Sequence, residues 1–201
     1  MVEKIDEILT FWFGPIADGF TKADKSSLWW GGSAENDSLI TELFSARVQQ
    51  ALRGELDPWA ETPRGRLALI ILLDQFTRTI YRGSADAFSG DSKALKLCLE
   101  GLESGHDQAL EFVERTFFYM PLEHAEDLKM QERCILQFEQ MLLEVSGVHK
   151  LQVENWIDFA SQHHEQIERF GRFPHRNEAL GRSSTPEELA YLLQSANRWG
   201  Q

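Results

Sequence analysis

Thr62-Pro63-Arg64-Gly65-Arg66-Leu67-Ala68-Leu69-Ile70-Ile71-Leu72-Leu73-Asp74-Gln75-Phe76-Thr77-Arg78-Thr79-Ile80-Tyr81-Arg82-Gly83 reads as one helix at the centre of the protein. Thr62 offers a side-chain cap, and Pro63 stands at the first helical position, where a missing N–H costs no bond. Gly83 closes the segment. From Leu67 to Leu73 every residue is apolar, so no side of the helix is suited to water. The run is far shorter than the ~18 residues a membrane helix needs, so other helices must cover it.

Helical periodicity supplies those neighbours on both sides. Residues 2–13 form an amphipathic stretch stopped by Gly14-Pro15, followed by the aromatic loop Leu28-Trp29-Trp30-Gly31-Gly32. A second helix runs from about residue 33 or 36 to 53. Its Leu39, Ile40, Leu43, Phe44, Val48, Ala51 and Leu52 keep the 3/4 spacing of a buried face. Asp91 is expected to cap a helix reaching about residue 104, and another spans about 108–119. Pro121 is expected to restart the chain into a long helix ending at Val145. The next runs from about 150 to Phe170 and stops at Gly171. Thr185-Pro186-Glu187-Glu188 has the spacing of a capping box for the last. Nothing reads as a strand pair, and no repeat of fixed period occurs. The expected fold is all-α, with about seven or eight antiparallel helices in one domain over residues 1–201.

The net charge of −12 repels phosphate backbones and anionic lipid surfaces, so neither a nucleic-acid nor a membrane partner is expected. Cys98 and Cys134 lack CxxC spacing and read as buried thiols in a reducing compartment. The acidic start Val2-Glu3-Lys4-Ile5-Asp6-Glu7 is unlike an export signal, which makes the expected location cytoplasmic. Phosphate-loop, dinucleotide, nucleophile-elbow and HExxH patterns are absent, so no cofactor or metal is expected. Positive charge is unevenly spread. Arg64, Arg66, Arg78 and Arg82 share one segment, Arg169, Arg172, Arg176 and Arg182 another, and no lysine lies in either.

Ionisable residues interrupt three apolar stripes. Leu128, Ile135, Phe138, Leu142 and Val145 extend backward, at the same spacing, to Gln131, Asp127 and His124, flanked by Glu123 and Glu126. In the central helix Asp74, Arg78 and Arg82 continue the face of Leu67, Ile70 and Ile71. In the helix around 150–170, His163 and His164 border the stripe of Trp156, Ala160, Ile167 and Phe170. Polar groups buried without partners cost about 1–3 kcal/mol each, so these must meet one another or a ligand. The loop Arg169-Phe170-Gly171-Arg172-Phe173-Pro174-His175-Arg176-Asn177 adds guanidinium forks suited to carboxylate or phosphate.

Each feature also has a plain structural reading. Asp74 and Arg78 suit an i,i+4 pair, His124 with Asp127 a satisfied core histidine, and His163-His164 one core and one exposed ring. The loop arginines suit an anchor to the acid-rich 100–145 region. A metal set from Glu123, His124, Asp127 and a histidine of the 163–164 pair is outweighed by the neighbouring arginines. Taken together, the interruptions point to a pocket for a small anion or a peptide carboxylate. Asp74, Arg78, Arg82, His124, Asp127, Gln131, His163, Arg172, His175 and Arg176 would line it. Two alternatives stand beside it. One is an enzyme using His124 and Asp127 as acid and base in the same pocket. The other is a protein- or peptide-binding module whose polar cluster is purely structural.

Phe11-Trp12-Phe13-Gly14, Leu73-Asp74-Gln75-Phe76, Tyr119-Met120-Pro121-Leu122-Glu123-His124 and Arg169 to Asn177 with Leu180-Gly181-Arg182 resemble an uncharacterised bacterial family. It is known as domain of unknown function nine-hundred-twenty-four, and the resemblance covers residues 8 to 193. It implies paired, tetratricopeptide-like helical packing, no established activity and no catalytic residues to carry over. The family's proline and asparagine about the arginine after Asp-Gln-Phe are replaced here by Thr77 and Thr79.

Overall fold

The structure, a computed structural model, describes residues 2–194. Its helices are α1 (Val2–Phe13), α2 (Ser26–Trp29), α3 (Ala34–Leu52), α4 (Pro63–Ile70, continuing through Ile71–Phe76 and Thr77–Ile80), α5 (Asp91–Glu103), α6 (Phe112–Glu123), α7 (Leu128–Glu144), α8 (Val148–Phe170) and α9 (Pro186–Gln194). Eight of them answer to the expected helices, and the single turn α2 lies in the aromatic loop. A short hairpin, β1 (Ile16–Ala17) against β2 (Phe20–Thr21), is the one departure from all-α among the described residues. Two-residue strands carry no readable alternation, so the sequence gives no sign of them. No helix among the described residues is long and apolar enough to cross a membrane.

The chain reading places α4 at the centre, and the burial agrees. Leu67 through Phe76 are all buried, Asp74 and Gln75 among them. Thr62 Oγ1 accepts from Gly65 N at 3.2 Å, closing the N-terminus as expected. α1, α3, α5 and α6 pack around α4. Helix α5 approaches so closely that a Cβ on Gly90 would collide with the carbonyl oxygen of Leu73, so glycine is required there. Gly90 is also the N-cap of α5. Asp91 therefore does not cap that helix as the sequence suggests, and its carboxylate turns to Arg78 instead. An aromatic cluster bridges α1, α4 and α6, with Trp12 edge-on to Phe76 at 5.3 Å and to Phe117 at 5.4 Å.

Two local features shape the interior. Over Ile71–Phe76 the central helix widens into a π-helix, which re-registers the side chains that follow. The second is the junction of α6 and α7. Helix α6 runs through Pro121, against expectation, and ends at Glu123. Proline removes only its own N–H bond, and here it lies within the last turn. His124 is the C-cap, its N–H donating to Met120 O at 2.9 Å. Asp127 is the N-cap of α7, its Oδ1 accepting from Lys129 N at 2.9 Å and Met130 N at 3.2 Å. The 121–145 segment is thus two helices. His124 and Asp127 do not share one stripe.

Candidate functional site

Burial alone would orphan Asp74, which sits on the π-helical turn with a side chain 1% exposed. It is satisfied by convergence from three directions. His124 Nδ1, from the end of α6, lies 2.8 Å from its Oδ1 and 3.0 Å from its Oδ2. Gln75 Nε2 donates to Oδ2 at 2.5 Å, and Arg78 is paired with Oδ1 at 3.2 Å. Arg78 in turn donates to both oxygens of Asp91, at 2.9 and 3.0 Å, and to the backbone carbonyl of Asp74 at 2.7 Å.

Burial pushes the Asp74 carboxyl up. The charges of Arg78 and His124, with the hydrogen bonds of His124 and Gln75, outweigh it and hold Asp74 well below the usual carboxylate range. Burial and Arg78 lower His124, against the opposing pull of Asp74. The pair at neutral pH is therefore a carboxylate and a neutral imidazole. Because a carboxylate only accepts, the proton of the neutral ring sits on Nδ1. Nε2 is left as a bare acceptor with no hydrogen-bond partner among the described residues, on a side chain 16% exposed.

Glu123 and His163 adjoin this pair. His163 Nδ1 donates to Phe159 O at 2.9 Å and lies 3.1 Å from Glu123 Oε1. Burial brings His163 down to about 3. Burial, with Asp74 adding to it, pushes Glu123 up to about 8. At neutral pH this contact joins two neutral groups and is not an ion pair.

His124, Glu123, His163, Gln75 and Arg78 all line a half-enclosed cleft of about 830 Å³. The lining is also aromatic, with Trp29 and Trp30 of the α2 region and Trp156 and Phe159 of α8. Trp30 is half exposed and lies parallel to Phe117 at 5.8 Å. Trp29 is anchored by its Nε1 donating to Trp12 O at 3.1 Å. Trp12 also lines the cleft, and its own buried Nε1 meets no acceptor among the described residues. Lys22 and Lys25 stand on the segment after β2, and Arg82 lines the cleft while pairing with Asp37 at 3.2 Å.

The expected site residues divide accordingly. Asp74, Arg78, His124 and His163 come together; Arg78, Arg82, His124 and His163 line the cleft, and Asp74 is buried outside its lining. Asp127 is exposed and spent on its cap. Gln131 is buried, yet its Nε2 donates to the carbonyls of Glu123 at 2.5 Å and Ala125 at 2.7 Å, so it holds the α6–α7 junction rather than lining the cleft.

Arg172 is turned away from the cleft and donates to both oxygens of Glu188, at 2.6 and 2.8 Å. The reciprocal bonds of Thr185 and Glu188 form the expected capping box of α9. Arg176 is buried outside the cleft lining. It is layered between Phe173, 4.3 Å away, and Phe88, 4.9 Å away, with its Nη1 donating to His124 O at 3.0 Å. His175 stacks beside Phe173 and is likewise absent from the lining. The geometry here is an anchor: Arg182 grips Glu126 at 2.6 and 2.9 Å, and Glu126 accepts from Phe173 N at 2.8 Å. The loop thus clamps the α6–α7 junction from behind.

Sequence reading passed over Gln75, the lysines and the role of the tryptophans. Only the run Trp29-Trp30-Gly31-Gly32, too aromatic for an ordinary exposed loop, signals the cleft wall.

A family model described as "Bacterial protein of unknown function (DUF924)" matches residues 8–196. The solved structure of ATU0120, a protein of unknown function from Agrobacterium tumefaciens, superposes with a TM-score of 0.80 at 35% identity, covering 96% of this chain and 99% of that one. Comparison with curated proteins returned no match. The chain belongs to the bacterial DUF924 family.

Proposed function

We propose that the cleft is the active site of an enzyme acting on a small molecule, with His124 as proton acceptor and Asp74 as the group that positions it. The observation that carries this reading is the contact of His124 Nδ1 with both Asp74 oxygens, which leaves Nε2 bare in a cleft of about 830 Å³. A buried carboxylate fixing a histidine's tautomer and ring orientation is what general-base catalysis requires of its support. The volume suits a small organic ligand, and the tryptophan wall suits a planar or apolar body. An anion receptor is less well supported, because Arg172 and Arg176 do not line the cleft and Arg78 is already paired with Asp74 and Asp91. Asp74 takes the place that sequence spacing gave to Asp127.

The test is a titration of intrinsic tryptophan fluorescence with phenylpyruvate, phenylacetate and benzamide. Binding by at least one, lost in Trp30→Ala and Trp156→Ala but kept in His124→Gln, supports the reading. No response to any of the three, or a response unchanged in both tryptophan variants, contradicts a cleft built for planar small molecules.

A further inference from the structure

Beyond a base, the same cleft holds a second titratable group that the role of His124 leaves unused. Glu123 precedes His124 in the chain, lines the cleft with a side chain 8% exposed, and has no lysine or arginine within ion-pair distance among the described residues. Both groups, adjacent in the chain, line the cleft. The rings of His124 and His163 are 6.3 Å apart, and His163 Nδ1 is 3.1 Å from Glu123 Oε1. His163 Nδ1 carries its proton toward Phe159 O, so that atom cannot accept the carboxyl's proton.

We propose that Glu123 is a second catalytic residue, a carboxylic acid that donates a proton while His124 removes one, and that the substrate is a small molecule with an acidic C–H beside a carbonyl. This rests on the reading of His124 as base. In the step, His124 Nε2 takes the proton from carbon and the C–H electron pair becomes a C=C bond. The carbonyl π pair moves to oxygen, which takes the Glu123 proton. The products are an enol, an imidazolium beside Asp74 and a Glu123 carboxylate, with no oxidation and no co-reactant. Return of the two protons to different atoms completes an isomerisation; return to the same atoms exchanges the C–H with solvent.

The surroundings suit these roles. Acting on Glu123 are Asp74 of α4, His163 of α8, Cys134 of α7 and its own neighbour His124, and Arg78 lines the same cleft. Burial comes first and the Asp74 charge second in keeping the carboxyl protonated to about pH 8. One carboxyl pushed up and another held down beside it is how a single cleft supplies acid and base together.

The experiment has two arms on the full chain. Infrared difference spectra in D₂O, wild type minus Glu123→Gln, should show a protonated carboxylic acid at pH 6 that disappears as pH passes about 8. Proton NMR in D₂O should show wild-type protein exchanging the benzylic protons of phenylpyruvate faster than buffer. Glu123→Gln should slow this about a hundredfold and His124→Gln should abolish it.

An ionised Glu123 at pH 6, or exchange by Glu123→Gln as fast as wild type, overturns the acid role and leaves the base reading standing. Exchange by His124→Gln equal to wild type sinks the base reading itself. No exchange above buffer by the wild type overturns the substrate class. Should Glu123→Gln not fold, the wild type's carboxylic acid band and its exchange rate must fall together as pH rises. Independent behaviour of the two refutes the proposal.

Discussion

Asp74→Asn is the substitution that interrogates the support of His124 most sharply. In the native protein the carboxylate is almost fully enclosed and answers His124, Gln75 and Arg78 at once. Removing one member of a buried charge pair costs about 3–5 kcal/mol when its partner is left uncompensated. Here Arg78 keeps two bonds to Asp91, and asparagine retains one acceptor for His124. The expected loss is therefore smaller, about 2–3 kcal/mol at pH 7.

Linkage adds a signature. A carboxyl held below its unfolded value contributes stability above that value, and the contribution is lost as pH falls toward the depressed one. The difference between wild type and Asp74→Asn should accordingly be largest at neutral pH and shrink below about pH 4. Urea unfolding at several pH values, with unchanged m, measures it. A loss under about 0.5 kcal/mol, as for an ordinary surface change, or a difference that does not shrink in acid, would refute the assignment of Asp74 as an ionised, paired group.

Two further outcomes follow from the loop behind the cleft. Arg176→Lys should lose about 2–3 kcal/mol in urea unfolding, because lysine cannot be layered between Phe88 and Phe173 while donating to His124 O; an unchanged midpoint would show that the loop does not clamp the junction. His175 is brought down to about 3, chiefly by burial, so the native ring stays neutral while the unfolded one takes a proton. Its contribution is present above about pH 6.5 and lost as pH falls, so from pH 7 to pH 5 wild type should lose about 2 kcal/mol relative to His175→Gln; parallel stability curves for the two proteins would contradict it.

The helices were legible because their cause is local. The all-round apolar run 67–73, Thr62-Pro63 at its start and Thr185 with Glu188 at the last cap are visible without any tertiary contact. Asp74, Arg78, His124 and His163 were legible for a related reason: each breaks an apolar pattern. What failed was inference across a chain break. Spacing joined His124 to Asp127 on one imagined helix, whereas the backbone ends α6 at Glu123 and begins α7 at Leu128. Proline at 121 drew the end of α6 about four residues too early, at 119 instead of Glu123. The partner that His124 does find, Asp74, is fifty residues away and reaches it from a π-helical turn that no sequence period announces. The arginines failed differently. Their forks fit carboxylates as expected, but the carboxylates are the protein's own, Asp91, Glu126 and Glu188.

Everything proposed for the cleft depends on the protonation of one ring. Long-range ¹H–¹⁵N correlation spectra of histidine-labelled protein at pH 7 report it directly, with His124→Gln identifying the signals. The proposed base role requires His124 to be neutral, with its proton on Nδ1 toward Asp74 and Nε2 bare. An imidazolium at pH 7, or a neutral ring carrying its proton on Nε2, contradicts it.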